Sequence, residues 1–294
     1  MQLAVNNPNF SIIVPTGCNA RCAFCFWKQS ETIDKDKYLN NLEKMIAALP
    51  EHFKQCSITG GEPTALPWLI DILAIVRKRF NKVVMSSNGY KLSANQMSFI
   101  DHLNISRHDI MDRLNKRVFK TDTVPNMDRL KQLCQTANEY GVDVTLNRVL
   151  PEITNESDII STYIYLAKAV GANHVCFRKE HSDLKPLPVT QYFNQKRFNE
   201  TSCPACKSYS QYIDGMKVTW KYNVLEPTEV MTGLYELVFH PDGVASTDWV
   251  KTNIVRYKQH KEKKYTPSKI SGGCGSNNGC SAAPITGSCG SGGC

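Results

Sequence analysis

The sequence predicts an α/β fold, an open TIM-like partial (β/α)6 barrel, from two observations. Strand-like and helix-like segments alternate six times between residues 10 and 180. In the helix-like segments, apolar residues recur every three or four positions, as on the buried face of a helix. Repeated βα steps build a parallel sheet with helices outside. Six strands are too few for a closed eight-stranded barrel, so we expect an open, curved sheet.

The individual elements follow from local composition and from their end signals. The predicted strands cover residues 10–14, 56–59, 82–86, 103–106, 142–149 and 174–177. The predicted helices cover residues 36–49, 68–80, 93–100, 127–140 and 157–170. Ser93 is suited to an N-cap, and Gly141 and Gly171 are suited to end helices. Each predicted strand therefore precedes or follows a helix.

Beyond the barrel, the sequence predicts a small C-terminal α+β extension and a cysteine-rich and glycine-rich tail. We expect the barrel in residues 1–183, the extension in 184–270 and the tail in 271–294. The extension has two β-rich segments, residues 216–222 and 234–240, and a turn at Pro241-Asp242-Gly243 that predicts a hairpin. The tail holds eight glycines, five serines, four cysteines and no charge, so it cannot bury enough surface to fold by itself.

Composition limits the class of protein. The 294 residues are 41% hydrophobic, which is enough for a real core, and no apolar run approaches the ~18 residues of a membrane span. The first ten residues lack a signal-peptide pattern, so we expect a cytoplasmic protein without a membrane partner. In that compartment 12 cysteines indicate metal or redox chemistry rather than disulfides. The net charge of +8 is compatible with an anionic substrate.

Three cysteines stand close together directly after the first strand. Cys18, Cys22 and Cys25 have the spacing C-x3-C-x2-C, which places three thiols on one short loop. Zinc would need a fourth ligand, and His52 is the first histidine after the loop. An iron–sulfur cubane held by three cysteines instead leaves one iron open for a ligand. The spacing favours the reactive cluster, with a structural zinc loop as the alternative.

Two motifs resemble those of the radical S-adenosylmethionine (SAM) enzyme family. Residues 18–26, with Phe24 before the third cysteine, resemble the cluster loop, and Thr59-Gly60-Gly61-Glu62-Pro63 resembles the second motif. The likeness covers about 180 residues and is nearest to the molybdopterin-precursor cyclase and viperin branches. It implies a [4Fe-4S] cluster, SAM as cofactor, and a 5′-deoxyadenosyl radical that abstracts hydrogen from a substrate.

The resemblance also implies which residues bind SAM. Glu62 would accept the methionine ammonium, Ser87 and Asn88 would touch the ribose, and Arg107 would bind the carboxylate as a bidentate fork. The expected cofactor-binding residues are Phe24, Gly60, Gly61, Glu62, Ser87, Asn88, Ser106, Arg107 and Asn147.

Several of these residues have structural alternatives. Glu62 also suits a helix N-terminus, and Asn88 with Gly89 suits a turn. Asn147 could simply satisfy backbone groups. His108, where the cyclase-like relatives have an acidic residue, is expected to be an incidental surface histidine rather than a cavity residue. Arg178 could meet a substrate anion or be a solvated rim charge.

The remaining cysteine pattern predicts a second metal site. Cys203 and Cys206 form a C-x2-C pair, and Cys274 and Cys280 are the nearest tail cysteines that could complete an auxiliary iron–sulfur cluster. Alternatively, the tail is a mobile thiol arm, a modified peptide-like segment, or a disordered tail without function. The auxiliary cluster is the favoured interpretation.

The substrate is expected to be a phosphorylated nucleoside or a nucleic acid, with a peptide as the alternative. An external donor such as flavodoxin or ferredoxin would supply electrons. A different class stays open, namely an iron–sulfur or zinc protein without catalysis. The sequence assigns no catalytic residue and no oligomeric state.

Overall fold

The computed structural model describes residues 8–25, 33–150, 157–179, 208–221, 236–249, 251 and 254–255. Their strands form one sheet in the order β11-β10-β9-β1-β2-β3-β4-β5-β6-β8-β7. The strands are β1 (Asn9–Val14), β2 (Gln55–Gly60), β3 (Lys82–Ser87), β4 (His102–Ser106), β5 (Asp143–Leu150), β6 (His174–Lys179), β7 (Ser208–Ile213), β8 (Met216–Lys221), β9 (Glu236–Phe239), β10 (Ala245–Ser246) and β11 (Ile254–Val255).

The middle of the sheet confirms the predicted partial barrel. Strands β1 to β6 are parallel and lie side by side in chain order. The sheet is not closed. Two later strands extend it in parallel, β9 beside β1 and β8 beside β6. The predicted hairpin is confirmed too, because β9 pairs antiparallel with β10.

Strands from beyond residue 207 therefore lie on both edges of the barrel sheet. An antiparallel β7–β8 hairpin, which the sequence analysis did not identify, extends the β6 edge. The β9–β10–β11 meander extends the β1 edge. The division at residue 183 stays a prediction.

Six α-helices connect the strands in the described part of the chain. They are α1 (Lys35–Ala48), α2 (Leu69–Arg77), α3 (Ala94–Met97), α4 (Asp112–Phe119), α5 (Met127–Glu139) and α6 (Ser157–Val170). Helix α1 begins after Asp34, whose carboxylate accepts hydrogen bonds from the backbone N–H groups of Asp36 and Lys37. Helix α4 was not predicted, since it has only eight residues and most of them are polar.

The two faces of the sheet differ in polarity. One face packs on the helices and forms the apolar core, for example through Ile12, Val144 and Trp220. Each large apolar side chain buried there contributes about 1.5–3 kcal/mol. Alternate residues such as Ser11 and Asn104 point to the other face, because side chains alternate along a strand. That second face lines the inside of the open barrel, so its lumen is polar.

A buried carboxylate ties the C-terminal meander to the first strand. Glu236 of β9 accepts hydrogen bonds from Ser11 Oγ at 2.5 Å, Asn9 Nδ2 at 3.1 Å and Trp249 Nε1 at 3.0 Å. Burial raises the pKa of Glu236, and these donors oppose the shift.

No helix in the described residues is long and apolar enough to cross a membrane.

Candidate functional site

The candidate site lies where the parallel strands of the barrel end. The cysteine loop follows β1, Gly61-Glu62 follows β2, Ser87-Asn88 ends β3, and Arg107 follows β4. Carboxyl ends of parallel strands meet at one edge of a sheet, so loops from separate parts of the chain come together there. His52 instead precedes β2 and lies at the opposite edge, which removes it as a fourth ligand for the cysteine loop.

The three thiols of the cysteine loop are accessible and electrostatically coupled. Cys18 and Cys25 are exposed, and Cys22 is half-buried. Burial, and then repulsion from Cys25 and Cys18, raises the pKa of Cys22 to about 12. Burial likewise raises the pKa of Cys18. Within the described residues no set of three His, Cys, Asp or Glu side chains already has the arrangement of a metal site.

The donor set of this loop nevertheless fits a [4Fe-4S] cluster. Three thiols from one loop are the ligands such a cluster takes, and binding of positively charged iron would relieve the mutual repulsion of their thiolates. Accessible sulfurs at the open edge of the sheet also leave room for a cluster and for a ligand on its fourth iron. The metal-ligand role of Cys18, Cys22 and Cys25 stays a prediction.

The loop after β2 is pressed against the cysteine loop. A Cβ placed on Gly61 would lie 2.3 Å from Gly17 O and 2.6 Å from Gly17 C, which is closer than real Cβ contacts come. The backbone N–H of Glu62 donates to the same Gly17 oxygen at 3.0 Å. Gly60 has φ +138°, a conformation that L side chains rarely adopt. Both glycines are therefore required by geometry, and Gly61 fixes the distance between the two loops.

Glu62 is buried at the centre of a hydrogen-bond network. Its side chain is 1% exposed. Oε1 accepts bonds from Thr64 N at 3.1 Å, Thr64 Oγ1 at 2.7 Å and Ser87 Oγ at 2.6 Å, and Oε2 accepts one from Asn88 N at 2.6 Å. Burial raises the pKa of Glu62, and the four donors oppose that shift. Oε2 thus has the fewer partners and is the oxygen better placed to take a further donor.

Asn88 extends this network to the cysteine loop. Its Nδ2 donates to Asn19 Oδ1 at 2.7 Å, and Asn19 Nδ2 donates to Thr123 Oγ1 at 2.8 Å. Asn88 Oδ1 also accepts a hydrogen bond from Tyr90 N, as in an Asx turn. Asn88 therefore forms a turn and also lies in the candidate site. A chain of contacts thereby runs from Glu62 through the cysteine loop to the segment after α4.

Arg107 has a different environment from the expected open carboxylate-binding position. Its side chain is 2% exposed. Nε donates to Asp109 O at 2.6 Å, Nη1 to Pro125 O at 3.1 Å, and Nη2 to Ile110 O at 2.9 Å and Asp112 Oδ1 at 2.8 Å. These four bonds fix the segment that leads from β4 into α4. The carboxylate-binding role of Arg107 stays a prediction, and it would require some of these bonds to be exchanged.

His108 is a correction to the sequence analysis, because it is not a surface histidine. Its side chain is 7% exposed, and its Nδ1 accepts a hydrogen bond from Val149 N at 3.2 Å. The ring contacts Phe24 edge-on at 4.8 Å between centroids and Phe119 of α4 at 4.7 Å. Burial, and then repulsion from Arg148 and Arg107, lowers the pKa of His108 to about 3, so the ring is neutral. Phe24, an expected cofactor residue, is thus held by this ring.

The other expected residues fall into two groups. Ser106 and Asn147 are register partners on β4 and β5, and Asn147 O accepts the bond from Arg107 N at 2.9 Å. Arg178 lies further along, on β6. The expected ligands of a second cluster lie outside the described residues: Cys203, Cys206, Cys274 and Cys280.

Sequence reasoning missed several residues that build the site. Gly17, Asn19 and Thr64 each contact the network of Glu62 or the loop beside it. Asn19 stands within the cysteine motif, so its position was the available signal. Thr123 and Phe119 come from the α4 region, for which no such signal exists in the sequence.

These features agree with a comparison against known protein families. The model of the Radical SAM superfamily matches residues 12–166, which is more than half of the chain, so the chain belongs to this superfamily. Members of the superfamily use a [4Fe-4S] cluster and SAM.

Individual relatives are more distant. The chain is 28% identical over 163 residues to an S-adenosylmethionine-dependent nucleotide dehydratase of Flammeovirga pacifica, covering 51% of this chain and 56% of that protein. It is 24% identical over 151 residues to a GTP 3′,8-cyclase of Clostridium perfringens, covering 49% and 46%. The chain therefore spans about half the length of these curated relatives.

A solved structure supports the fold. Streptococcus suis SuiB bound to S-adenosylmethionine superposes with a TM-score of 0.58 at 16% identity, covering 86% of this chain and 63% of SuiB. At this identity the likeness shows the fold alone.

Proposed function

We propose that this chain is a radical SAM enzyme that holds a [4Fe-4S] cluster on Cys18, Cys22 and Cys25 and cleaves SAM reductively. The observation that carries the proposal is the contact between two motifs distant in sequence. Gly61 and Glu62 lie directly against Gly17, the residue before the first cysteine of the loop. This contact places the Glu62 carboxylate and the three thiols at the same edge of the sheet. The thiols would hold the cluster there, and the carboxylate would bind the SAM next to it.

Each group of the site has a role in this proposal. A bound cluster supplies the electron that breaks a carbon–sulfur bond of SAM. Glu62 Oε2 accepts the methionine ammonium of SAM, while hydrogen bonds from Ser87 and Asn88 hold the Glu62 carboxylate in place. Phe24, whose ring packs edge-on against His108, would help to exclude water from a bound cofactor. Gly61 sets the distance between Glu62 and the cysteine loop.

We further propose that the substrate is a phosphorylated nucleoside. Both curated relatives are named for nucleotide chemistry. The lumen face of the sheet has cations near the site, since Arg178 of β6 and Lys221 of β8 are register partners. Lys221 is 6% exposed and its charge already opposes the burial-raised pKa of Glu236, whereas Nε of Arg178 is buried without a hydrogen-bond partner in the described residues. Arg178 is therefore the cation that would bind an anion. A phosphate group bound there would direct the nucleoside towards the site.

The test is anaerobic incubation of the reconstituted full chain with SAM and dithionite. We expect 5′-deoxyadenosine to form, and we expect none from the variant in which Cys18, Cys22 and Cys25 are all alanine. The variant with Cys56 and Cys134 replaced by alanine is the control, because these two thiols are buried in the hydrophobic core. Product from the loop variant, or a colourless zinc-binding protein, would contradict the proposal.

For the substrate, nucleoside triphosphates and the corresponding nucleosides should be compared in the same reaction. We expect only the phosphorylated forms to accelerate 5′-deoxyadenosine formation. Arg178→Gln should reduce that acceleration while leaving the rate without substrate unchanged. Equal acceleration by a nucleoside without phosphate would contradict a phosphate-binding role of the lumen cations.

The second cluster is a separate proposal, favoured by the pair Cys203 and Cys206 and the four tail cysteines. With two cubanes the full chain would bind about eight irons, and a chain ending at Ile270 about four. An iron content that does not change on truncation would contradict it. A peptide substrate, modified with the help of this cluster, is then the alternative to the nucleoside.

A further inference from the structure

The surface beside the cysteine loop carries a group of exposed cations. Arg113 and Arg117 of α4, Lys120 after its end, and Arg21 of the cysteine loop are all exposed. Within the described part of the chain none of the four forms an ion pair or a side-chain hydrogen bond. We call these four residues the α4 basic surface. Lys116 is excluded from it, because it pairs with Asp122 at 3.6 Å.

Helix geometry places these charges in one stripe. Residues four apart lie on the same face of a helix, so Arg113 and Arg117 are neighbours there. Backbone contact joins the helix end to the cysteine loop, because Arg21 N donates to Phe119 O at 2.8 Å. Asn19 and Thr123 add a second contact at 2.8 Å. The stripe therefore ends at the loop that contains the three thiols.

Helix stability does not explain the stripe. Cations in the last turn stabilise a helix through its dipole, which accounts for Arg117. Arg113 lies in the first turn, where the dipole disfavours a cation, and it repels Arg117. Arg113 and Arg117 repel each other beside the proposed redox site, and a partner of opposite charge bound there would offset this repulsion.

We propose that the α4 basic surface is the docking site of an acidic electron-transfer protein. The inference rests on the proposed function, since only a cluster on Cys18, Cys22 and Cys25 gives that partner something to reduce. In the complex the donor loses one electron and the cluster gains one, and no bond or proton is exchanged. Lys120 is within electrostatic range of Cys22, so a partner that covers it is held close to the cluster ligands.

A nucleic acid could also bind a stripe of cations. The position of the stripe favours the redox protein, because the lumen cations that would direct a nucleotide, Arg178 and Lys221, lie on other strands. A nucleic acid along α4 would lie on the outside of the sheet. Nucleic-acid binding is therefore an outcome that the test must detect.

The primary experiment measures affinity and needs no turnover. Oxidised flavodoxin, an acidic donor, is titrated against the full reconstituted chain at low and high salt, and its flavin fluorescence is followed. We expect Arg113→Glu with Arg117→Glu to raise the Kd at low salt about tenfold or more, with the difference shrinking at high salt. The matched control, Lys37→Glu with Lys44→Glu on α1, changes net charge equally and should stay within about twofold.

Reduction rates supply the second measurement. We expect 5′-deoxyadenosine formation to fall in the α4 variant when reduced flavodoxin is the donor, and to stay unchanged with dithionite, which needs no docking surface. Unchanged flavodoxin affinity, or equal weakening in the α1 control, would overturn the docking site. A single-stranded DNA oligonucleotide that binds wild type and is lost in the α4 variant, with flavodoxin affinity unaffected, would overturn it in favour of nucleic acid. Failure with dithionite in wild type would instead refute the proposed function.

Discussion

Glu62 and Arg107 are two buried charges that follow β2 and β4, with β3 between them. Both were expected to bind SAM, and their hydrogen-bond partners differ in kind. Glu62 accepts its bonds from Thr64 in its own loop and from Ser87 and Asn88 on the next strand. Arg107 donates mainly to the segment that follows its own strand, through Asp109, Ile110 and Asp112, and once to Pro125. The carboxylate joins two strand ends, whereas the guanidinium mainly stabilises one connection.

The number of hydrogen bonds still available separates a buried charge that can bind a ligand from one that stabilises the fold. Oε2 of Glu62 has one donor, so it can take another without breaking a bond. Arg107 has used four of its five donors on the protein, and three of the acceptors are backbone carbonyls that would lose their partner. Removing Arg107 should therefore affect folding first, and removing the charge of Glu62 should affect ligand binding first.

Arg107→Ala is expected to have the largest effect on stability. Three backbone carbonyls and Asp112 lose a donor, and unsatisfied buried groups cost about 1–3 kcal/mol each, so a loss on the order of 3 kcal/mol or more is expected. Urea unfolding of the chain measures it. Arg107→Lys keeps the charge but not the planar fork, and should recover only part of the loss. A stable Arg107→Ala protein with strongly reduced SAM affinity would contradict the structural role of Arg107 and show that it binds the cofactor.

Gly61→Ala is expected to be next. The added Cβ meets backbone atoms of Gly17, which cannot rotate away, so the cysteine loop must shift at a cost of about 1–3 kcal/mol. Iron content and the visible spectrum after reconstitution report the shift. Gly141→Ala is a control for the change itself, since a Cβ there contacts nothing within 4 Å, although its φ of +70° still carries strain. Full iron loading in Gly61→Ala would show that the contact does not set the loop.

Glu62→Gln should lower SAM affinity, and it should also cost about 1–3 kcal/mol of stability, because the amide NH2 in place of Oε2 would leave the buried N–H of Asn88 without its acceptor. The amide has nearly the same shape but loses the charge, and a lost charge-assisted bond to an ammonium costs ~1.5–3 kcal/mol, or about 10- to 150-fold in Kd. Equilibrium binding of SAM to the reconstituted protein measures it, with Ser87→Ala as the control for the network alone. Unchanged affinity would leave Glu62 with a purely structural role and remove the contrast with Arg107.

The last effect, which is small at neutral pH and grows on acidification, concerns a histidine that is charged in the unfolded chain and neutral in the folded protein. His102 is fully buried on β4, its Nε2 lies 2.9 Å from Thr145 Oγ1, and burial lowers its pKa from 6.5 to about 3. Between these values the unfolded chain binds the proton and the folded chain does not. Stability should therefore be full above pH 6.5 and fall as the pH drops towards 3, by on the order of 1 kcal/mol per pH unit.

Urea unfolding at pH 7 and pH 5 tests this dependence. His102→Gln removes the titrating group but can still bond to Thr145, so its stability should vary less between the two pH values than that of wild type. An identical dependence in both proteins would show that His102 does not titrate on unfolding.

The predicted fold came from periodicity, and its limits follow from the same source. Segments with strong apolar spacing, such as β5 and α5, were located within about two residues. Helix α4 is short and mostly polar, and a tertiary contact helps to position it, since Asn115 Oδ1 accepts a hydrogen bond from His108 N. Strand β7 was not predicted for a related reason, because its alternation of Tyr and Ser is short and lies in a polar stretch.

The site could be predicted as far as it is written in motifs. Cysteine spacing and the Gly60-Gly61-Glu62 run identified the two loops, but their mutual contact through Gly17 is a three-dimensional fact. The expectation that His108 lies at the surface was wrong, because the aromatic rings that pack against it come from residues 24 and 119, which are distant in sequence or outside any motif.

The pairing of β9 with β1 also has a consequence for synthesis on the ribosome. Asn9 and Glu236 are 227 residues apart, so at ~5–20 residues per second the first strand waits roughly 11–45 s for its outer neighbour. During that interval β2 to β6 can assemble on one side of β1 while the other side offers unpaired backbone groups. Such an edge can recruit strands from other nascent chains. Slow translation of the C-terminal meander should therefore lower the yield of native protein, and a chaperone that covers β1 should restore it.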